Sequence, residues 1–324
     1  MGDIALDNRL KELTDWVVNL YGEPVHLQTA STDASFRRYF RVTVAGDTRI
    51  AMDAPPEQES CDAFLAIARQ LRAAGLHAPE LFADDLSRGF LLLEDFGHAS
   101  YLDKLADGSA DSLYGDALIA LQVMGQLPTA GLPRFGARMI EAEMALFRDW
   151  YLGKELALNP TDADFCLQPL SKLLTENALV QPQVWVHRDY HSRNLMVCEP
   201  NPGILDFQDA VIGPLTYDLV SLLKDCYIRW PRHRVEGWVA DHFEQLKRTE
   251  LGGALPDFEQ FLRWFDLMGV QRHMKAIGIF ARLNHRDGKP GYLDDIPRCF
   301  EYLAEQAPEC QPLAQLLGWI EQSQ

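Results

Sequence analysis

Positive charge is scarce in this chain. Across 324 residues, 30 Lys and Arg face 47 Asp and Glu, a formal charge of −17, and there is no basic run anywhere. A surface field of that sign repels a phosphate backbone, so nucleic acid is not expected as a partner. A small polyanion still fits where arginines cluster locally and a metal ion helps to neutralise it. The six cysteines, at 61, 166, 198, 226, 299 and 310, include no C-x-x-C pair. That spacing excludes a zinc knuckle or a dithiol redox motif and leaves reduced, mostly buried thiols. Long apolar runs are missing too, because the longest uncharged stretch, 117–133, is broken by glutamines, glycines and prolines. The amino terminus, MGDIALDNRLKELTDWVV, carries acids throughout its apolar pattern and has no basic n-region, so a secretory signal is not expected. The expectation is a cytoplasmic protein with no membrane partner; oligomeric state is not encoded in any of these features.

An apolar content of 47% is what a sizeable core requires, and the length suits about two domains. Leu6, Leu10, Leu13, Val17 and Leu20 repeat at helical spacing and Gly22 follows, which predicts a helix ended by a left-handed cap. The period then changes: Phe36, Phe40, Val42 and Val44 share a strand face interrupted by Arg38, and TRIAMDAPP (48–56) predicts a second strand, with AGD (45–47) as the turn. A helix is expected over 57–75, on Phe64, Ala68 and Leu71 with Gly75 as its stop, and strands over 79–84 and 89–95. From about residue 98 onward the pattern is helical, apart from three extended pieces at 184–187, 194–198 and 203–207. The organisation predicted is α+β: a small antiparallel-sheet lobe over 1–97, a hinge at 94–98, and a large helical lobe over 98–324. A cleft between lobes is a common place for a ligand.

The three extended pieces surround the chemistry. In VHRDYHSRNLMV (186–197), His187, Arg188, Asp189 and Asn194 fit H-R-D-x-x-x-x-N, the catalytic loop of protein-kinase-like enzymes. Twelve residues further on, Asp206 ends a short apolar strand in LDFQDA. Phosphoryl transfer from ATP needs an oxygen-ligand cation, and Mg2+ prefers a carboxylate and an amide carbonyl beside waters and phosphate oxygens; Asp206 and Asn194 supply those. The acceptor hydroxyl needs a carboxylate to orient it and take its proton, which suits Asp189. His187 and Arg188 are expected to hold the loop's backbone. Asp206 alone would be a turn former, and Asn194 alone a loop residue; the ordered set gives them meaning. His187 and His191 are four apart but lie on a strand and its loop, with Arg188 where H-E-x-x-H needs its glutamate, so zinc is not expected.

Together with the strand lobe, the hinge-like LLLEDFG and TYDLVSLLKD, these motifs resemble the aminoglycoside phosphotransferase and choline kinase superfamily over nearly the whole chain. DFQDA in place of D-F-G and GPLTYDL in place of A-P-E point to small-molecule rather than protein kinases. More narrowly, SFRRYFRV, MDAPPEQES, GFLLLEDFG, VHRDYHSRNLM, GILDFQDAVIGPLTYDLVSLLKD and WFDLMGVQRHMKAIGIFARL are similar to the kinases that phosphorylate N-acetylmuramate and N-acetylglucosamine at C1 in bacterial cell-wall recycling. The resemblance implies a bilobal protein-kinase-like fold, ATP and Mg2+ as cofactors, an amino sugar as substrate, Glu94 at the nucleotide hinge, and Asp218 as a structural acid under the catalytic loop.

One departure stands out. The strand-three lysine that grips nucleotide phosphates is missing, since Asp53 or Met52 takes its place, and TASTDAS (29–35) contains no glycine. The expectation is that Ser31, Thr32 and Ser35 cover the phosphates and that Arg38 or Arg41 replaces the lysine, because the guanidinium fork suits phosphate oxygens. Arg37 reads as part of a solvated strand face. Within 264–283, Phe265, Met268, Arg272, Lys275 and Ile279 approximate one helical stripe, so the two cations either face a cavity or pair with a neighbouring helix. Substrate-contact candidates are His191, which is equally readable as an idle loop residue, and Arg193 or Arg272 for an acidic lactyl group. Competing readings are an aminoglycoside or choline-type kinase, which an acidic protein suits electrostatically, and an inactive binding scaffold, which the missing lysine suggests and the complete Asp189, Asn194 and Asp206 set opposes.

Overall fold

The computed structural model describes residues 2–31, 37–44 and 46–323, with side chains from residue 8 onward except that of Ser31. The chain divides into two compact units, Met1–Ala99 with Met196–Gln208, and Ser100–Leu195 with Asp209–Gln324. The first unit is thus assembled from two stretches of chain. No helix among the described residues is long and apolar enough to cross a membrane.

In the first unit the order is α1 (Gly2–Tyr21), β1 (His26–Ser31), β2 (Arg38–Val44), β3 (Asp47–Asp53), α2 (Asp62–Ala73), β4 (Leu81–Asp85) and β5 (Phe90–Glu94). The strands form one antiparallel sheet in the order β1-β2-β3-β5-β4. Alternation places Phe40, Val42, Ala51, Phe90 and Leu92 on one face, where Leu13, Trp16 and Val17 of α1 bury against them. Gly22 ends α1 at φ +72°, a left-handed conformation that costs glycine little, and its N–H caps the Val18 carbonyl at 2.8 Å. The strand over His26–Ser31 is not predicted from the sequence: the mostly polar HLQTAS forms an edge held by pairing with β2 and by Leu27, which packs against the core. Arg37 is buried and ion-paired with Glu59, which corrects the solvated reading; a partner distant in sequence made the burial affordable.

The chain continues through α3 (Tyr101–Lys104), α4 (Ala110–Met124), α5 (Ala137–Leu146), α6 (Asp164–Val180), β6 (Gln183–Val186), β7 (Leu195–Met196), β8 (Gly203–Ile204), β9 (Val211–Pro214), α7 (Tyr217–Leu223), α8 (Arg232–Leu246), α9 (Phe258–Asp287), α10 (Ile296–Gln306) and α11 (Gln311–Ser323). Antiparallel pairing of β6 with β9 sets Val184 opposite Gly213 and Trp185 opposite Ile212. That fourth extended piece, β9, is invisible in the sequence because Gly213 and Pro214 read as a break. The 30-residue α9 is the axis of this unit, capped by the Asp257 carboxylate, which accepts from the Gln260 N–H at 2.9 Å. Gly278 lets α9 lie against the junction where α5 widens into a π-helical stretch, Phe147–Glu155: a Cβ there would sit 2.4 Å from the Leu146 carbonyl carbon and the Phe147 nitrogen.

Candidate active site

The catalytic-loop motif begins where β6 ends. Buried β6 delivers the chain to His187, and the backbone N–H groups of His187 and Arg188 both donate to the Asp218 carboxylate, at 2.6 and 2.9 Å. Asp218 sits in the first turn of α7 and is buried; burial pushes its carboxyl up to about 6, and the His187 ring and the two amide donors pull the other way. Arg188 adopts φ +79°. Only three non-glycine residues among those described have positive φ, and two of them, Arg188 and Asp206 (φ +63°), belong to the predicted site. Backbone strain of about 1–3 kcal/mol per residue persists only where surroundings enforce it, and such strain clusters at functional positions.

Past Arg188 the loop folds into successive turns. The His191 N–H donates to the Asp189 carbonyl at 3.1 Å, the Asn194 N–H to the His191 carbonyl at 2.9 Å, and Asn194 Nδ2 to the Asp189 carbonyl at 3.0 Å. That bond fixes the amide's orientation, with Nδ2 toward the Asp189 carbonyl and Oδ1 on the other branch. Ser192 anchors the loop from below: its N–H and hydroxyl both donate to the buried Asp225 carboxylate, at 2.9 and 2.5 Å.

Asp189 is the most exposed member of a largely buried charge network. Its side chain is 38% exposed and lies 3.7 Å from Lys275 Nζ, whose own side chain is 8% exposed. Lys275 also donates to the Tyr217 hydroxyl at 3.1 Å and lies 3.7 Å from Glu143. Glu143 in turn accepts from Arg188 Nη2 at 2.6 Å and Gln271 Nε2 at 2.8 Å. Burial raises the Asp189 carboxyl, but the cations around it, led by Lys275, outweigh burial and hold it below the usual carboxylate range. The same attraction, with Asp189 and Glu143 dominant, lifts Lys275 above its ordinary value against the penalty of burial. Lys275 therefore faces neither an empty cavity nor only a neighbouring helix; its partner is the predicted catalytic carboxylate.

The other sequence candidates fall in three groups. Arg272 is 4% exposed, and its guanidinium donates to the Ser221 hydroxyl and, at 3.5 Å, to the Cys226 sulfur. His191 packs edge-on against Tyr227 with ring centroids 5.4 Å apart, and burial pushes its imidazole down to about 4, leaving it neutral at pH 7. The Arg193 guanidinium carbon sits over the Tyr227 ring, 3.6 Å from its centroid.

In the first unit, Asp206 accepts from Gln208 Nε2 at 2.7 Å, and the following Phe207 packs on Phe64 with centroids 4.9 Å apart. Glu94 is engaged with His77 Nε2 at 3.1 Å and with the Glu80 N–H at 3.1 Å. Arg41 forks onto Asp95 at 2.5 and 2.8 Å and donates to the Gly97 carbonyl at 2.6 Å. Asp53, at the place of the absent lysine, is fully buried, and two guanidinium groups close on it: Arg38 through Nε at 3.0 Å to one oxygen and Arg9 through Nε at 3.0 Å to the other. Two cations on one carboxylate leave a net positive site. Arg9, from the amino-terminal helix, had no signal in the sequence. Thr32, Ser35 and the Ser31 side chain lie outside the described residues; the Ser31 backbone ends β1.

Asn194 and Asp206 offer an amide oxygen and a carboxylate. Both are hard donors of the kind Mg2+ takes, with waters and phosphate oxygens completing its shell, so the residue types fit that ion.

Residues 26–261 match the profile of the phosphotransferase enzyme family. A protein of Pseudomonas putida named N-acetylmuramate/N-acetylglucosamine kinase is 48% identical, over 97% of this chain and 97% of its own length. A Neisseria meningitidis protein of the same name is 37% identical over 95% and 96%. Among solved structures, choline kinase LicA from Streptococcus pneumoniae superposes with a TM-score of 0.63 at 12% identity, covering 92% of this chain and 99% of that one. The ADP-bound aminoglycoside phosphotransferase APH(2'')-Ib gives 0.59 at 12%, covering 90% and 97%. At such identities the structures speak to the fold alone, which is that of the protein-kinase-like small-molecule kinases.

Proposed function

The chain belongs to the phosphotransferase enzyme family and is a small-molecule kinase, and we propose that it transfers the γ-phosphoryl of ATP to the anomeric hydroxyl of N-acetylmuramate and N-acetylglucosamine. The observation that carries the substrate is the 48% identity to a kinase named for those two sugars, sustained over 97% of both chains. The reaction would take place in the cytoplasm, where ATP and sugars recovered from the cell wall meet.

Asp189 positions the acceptor hydroxyl and receives its proton. Its side chain is the most exposed of the network, 38% against 8% for Lys275 and 6% for Glu143, so it is the group that a ligand reaches first. Lys275 keeps it ionised, which makes it a weak base; an anomeric hydroxyl is more acidic than an ordinary alcohol and needs correspondingly less help. Asp218 fixes the loop backbone that carries Asp189, and Arg188, clamped by Glu143, holds the strained turn. Asn194 and Asp206 would hold Mg2+, which when bound neutralises the charge on the transferring phosphates. Ser31, Thr32 and Ser35 would cover those phosphates, with Glu94 in the hinge segment beside the nucleotide.

For the phosphate grip, Arg38 is the better of the two arginines first considered, because its partner Asp53 is also served by Arg9, whereas Arg41 is shared among Asp95, Gly97 and His98. Arg38→Ala is expected to weaken ATP binding about tenfold, the scale of one charge-assisted contact, with sugar KM changed less than twofold and Arg38→Lys recovering part of the loss. Calorimetric titration with MgATP measures it. Unchanged affinity in Arg38→Ala would remove the residue from this role.

Phosphorus NMR of the product tests the whole reading. With ATP and either amino sugar, a new phosphomonoester resonance coupled to the anomeric proton is expected, and none with kanamycin or choline. Transfer to another hydroxyl, or turnover of kanamycin or choline instead, contradicts it.

A further inference from the structure

Four cations, Arg188, Arg193, Arg272 and Lys275, sit on or next to the catalytic loop, and three of them are spent. Arg188 is held by Glu143 at 2.6 Å, Arg272 is buried against Ser221 and Cys226, and Lys275 is shared among Tyr217, Glu143 and Asp189. Arg193 differs in each respect. Its side chain is 42% exposed, and its closest carboxylate is Asp295 at 3.8 Å. That carboxylate is already served by Arg298 Nη1 at 2.8 Å. An exposed ion pair so long is worth little in stability, so pairing with Asp295 does not account for where Arg193 stands.

What fixes Arg193 is an aromatic face. Its guanidinium carbon lies 3.6 Å above the Tyr227 ring centroid, with Tyr292 on a second side at 5.9 Å. A guanidinium held over a ring face keeps its N–H donors for other acceptors, and that fork is able to receive a carboxylate with two parallel hydrogen bonds. Tyr227 is itself held, by its N–H donating to the Asp225 carboxylate at 3.0 Å. The same Asp225 accepts from Ser192, the residue before Arg193. One buried acid therefore sets both the loop that carries Asp189 and the ring that carries Arg193.

We infer that Arg193 binds the carboxylate of an acidic substituent on the sugar and is the residue that lets this kinase accept N-acetylmuramate as well as N-acetylglucosamine. The two sugars differ by a lactyl ether that adds one negative charge. A substrate bearing it would be repelled by the ATP phosphates and by an acidic protein unless a cation met the added group; the neutral sugar needs no such contact. The inference rests on the substrate reading above and adds a division of labour within it.

The test is kcat/KM for both sugars with the full-length protein and Arg193→Ala. The ratio for N-acetylmuramate is expected to fall about tenfold to a hundredfold, the loss of one charge-assisted carboxylate contact, while that for N-acetylglucosamine changes less than threefold. Arg193→Lys, which keeps the charge but not the fork, should recover part of the muramate activity, and an unchanged melting temperature in both variants separates recognition from folding. Equal losses on the two sugars, or no loss on muramate, overturn the assignment of Arg193 and leave the kinase reading intact. A wild-type protein that phosphorylates neither sugar overturns both.

Discussion

Asp189→Asn is expected to lower kcat by about a hundredfold to ten-thousandfold, the range spanned by loss of a positioned proton acceptor, with KM for ATP and sugar held within a few fold. The substitution preserves shape and removes charge. An amide can still orient a hydroxyl but cannot take its proton, and it leaves Lys275 with one carboxylate fewer at 3.7 Å. The size of the loss reports how much the acceptor needs a base, so the lower end of the range is the expected one for an anomeric hydroxyl. Steady-state kinetics on both amino sugars measures it, and a loss under threefold would take Asp189 out of the mechanism.

The second large effect is on stability. Glu143 is buried on α5 and binds Arg188 and Gln271 while lying 3.7 Å from Lys275. Glu143→Ala leaves two largely buried cations without that partner and opens a void beside α9. Breaking a buried ion pair by removing one member costs about 3–5 kcal/mol, far more than a surface pair. Urea unfolding is expected to give a loss of that size, and kcat is expected to fall as well, because Arg188 and Lys275 support the catalytic loop. Glu143→Gln, which retains the hydrogen-bonding shape, should cost less than alanine. A loss below about 1 kcal/mol would mean that the network is not held together as its distances indicate.

Glu143 also marks how far the sequence could be read. Elements that depend on near neighbours were legible: the helix ended by Gly22, the buried run of β5 and the helical stripe over 264–283 inside the longer α9 all follow from spacing along the chain. Residues whose meaning depends on distant partners were not. Glu143 is one acid in an amphipathic helix, 45 positions from Arg188 and unmarked by any motif. Arg9 reaches Asp53 across 44 positions, and Arg38 reaches it across 15 through the β2–β3 register. Lys275 was visible as a misplaced cation in an apolar stripe, yet its partner was not, since periodicity reports that a charge is inside without saying what it meets. Strand β1 was misread for a related reason: TAS at 29–31 looks like the start of a loop when only local propensity is consulted, and pairing with β2 overrides that propensity.

The central claim is that Asp189, Asn194 and Asp206 act on one metal–nucleotide–sugar assembly. A crystal structure with Mg2+, a non-hydrolysable ATP analogue and N-acetylglucosamine tests it most directly. The account predicts a magnesium ion with Asn194 Oδ1 and an Asp206 carboxylate oxygen at about 2.1 Å, and the sugar's C1 hydroxyl within about 3.2 Å of the Asp189 carboxylate. A metal bound without either side chain, or a sugar whose C1 hydroxyl lies away from Asp189 while another hydroxyl faces the phosphate, would contradict it.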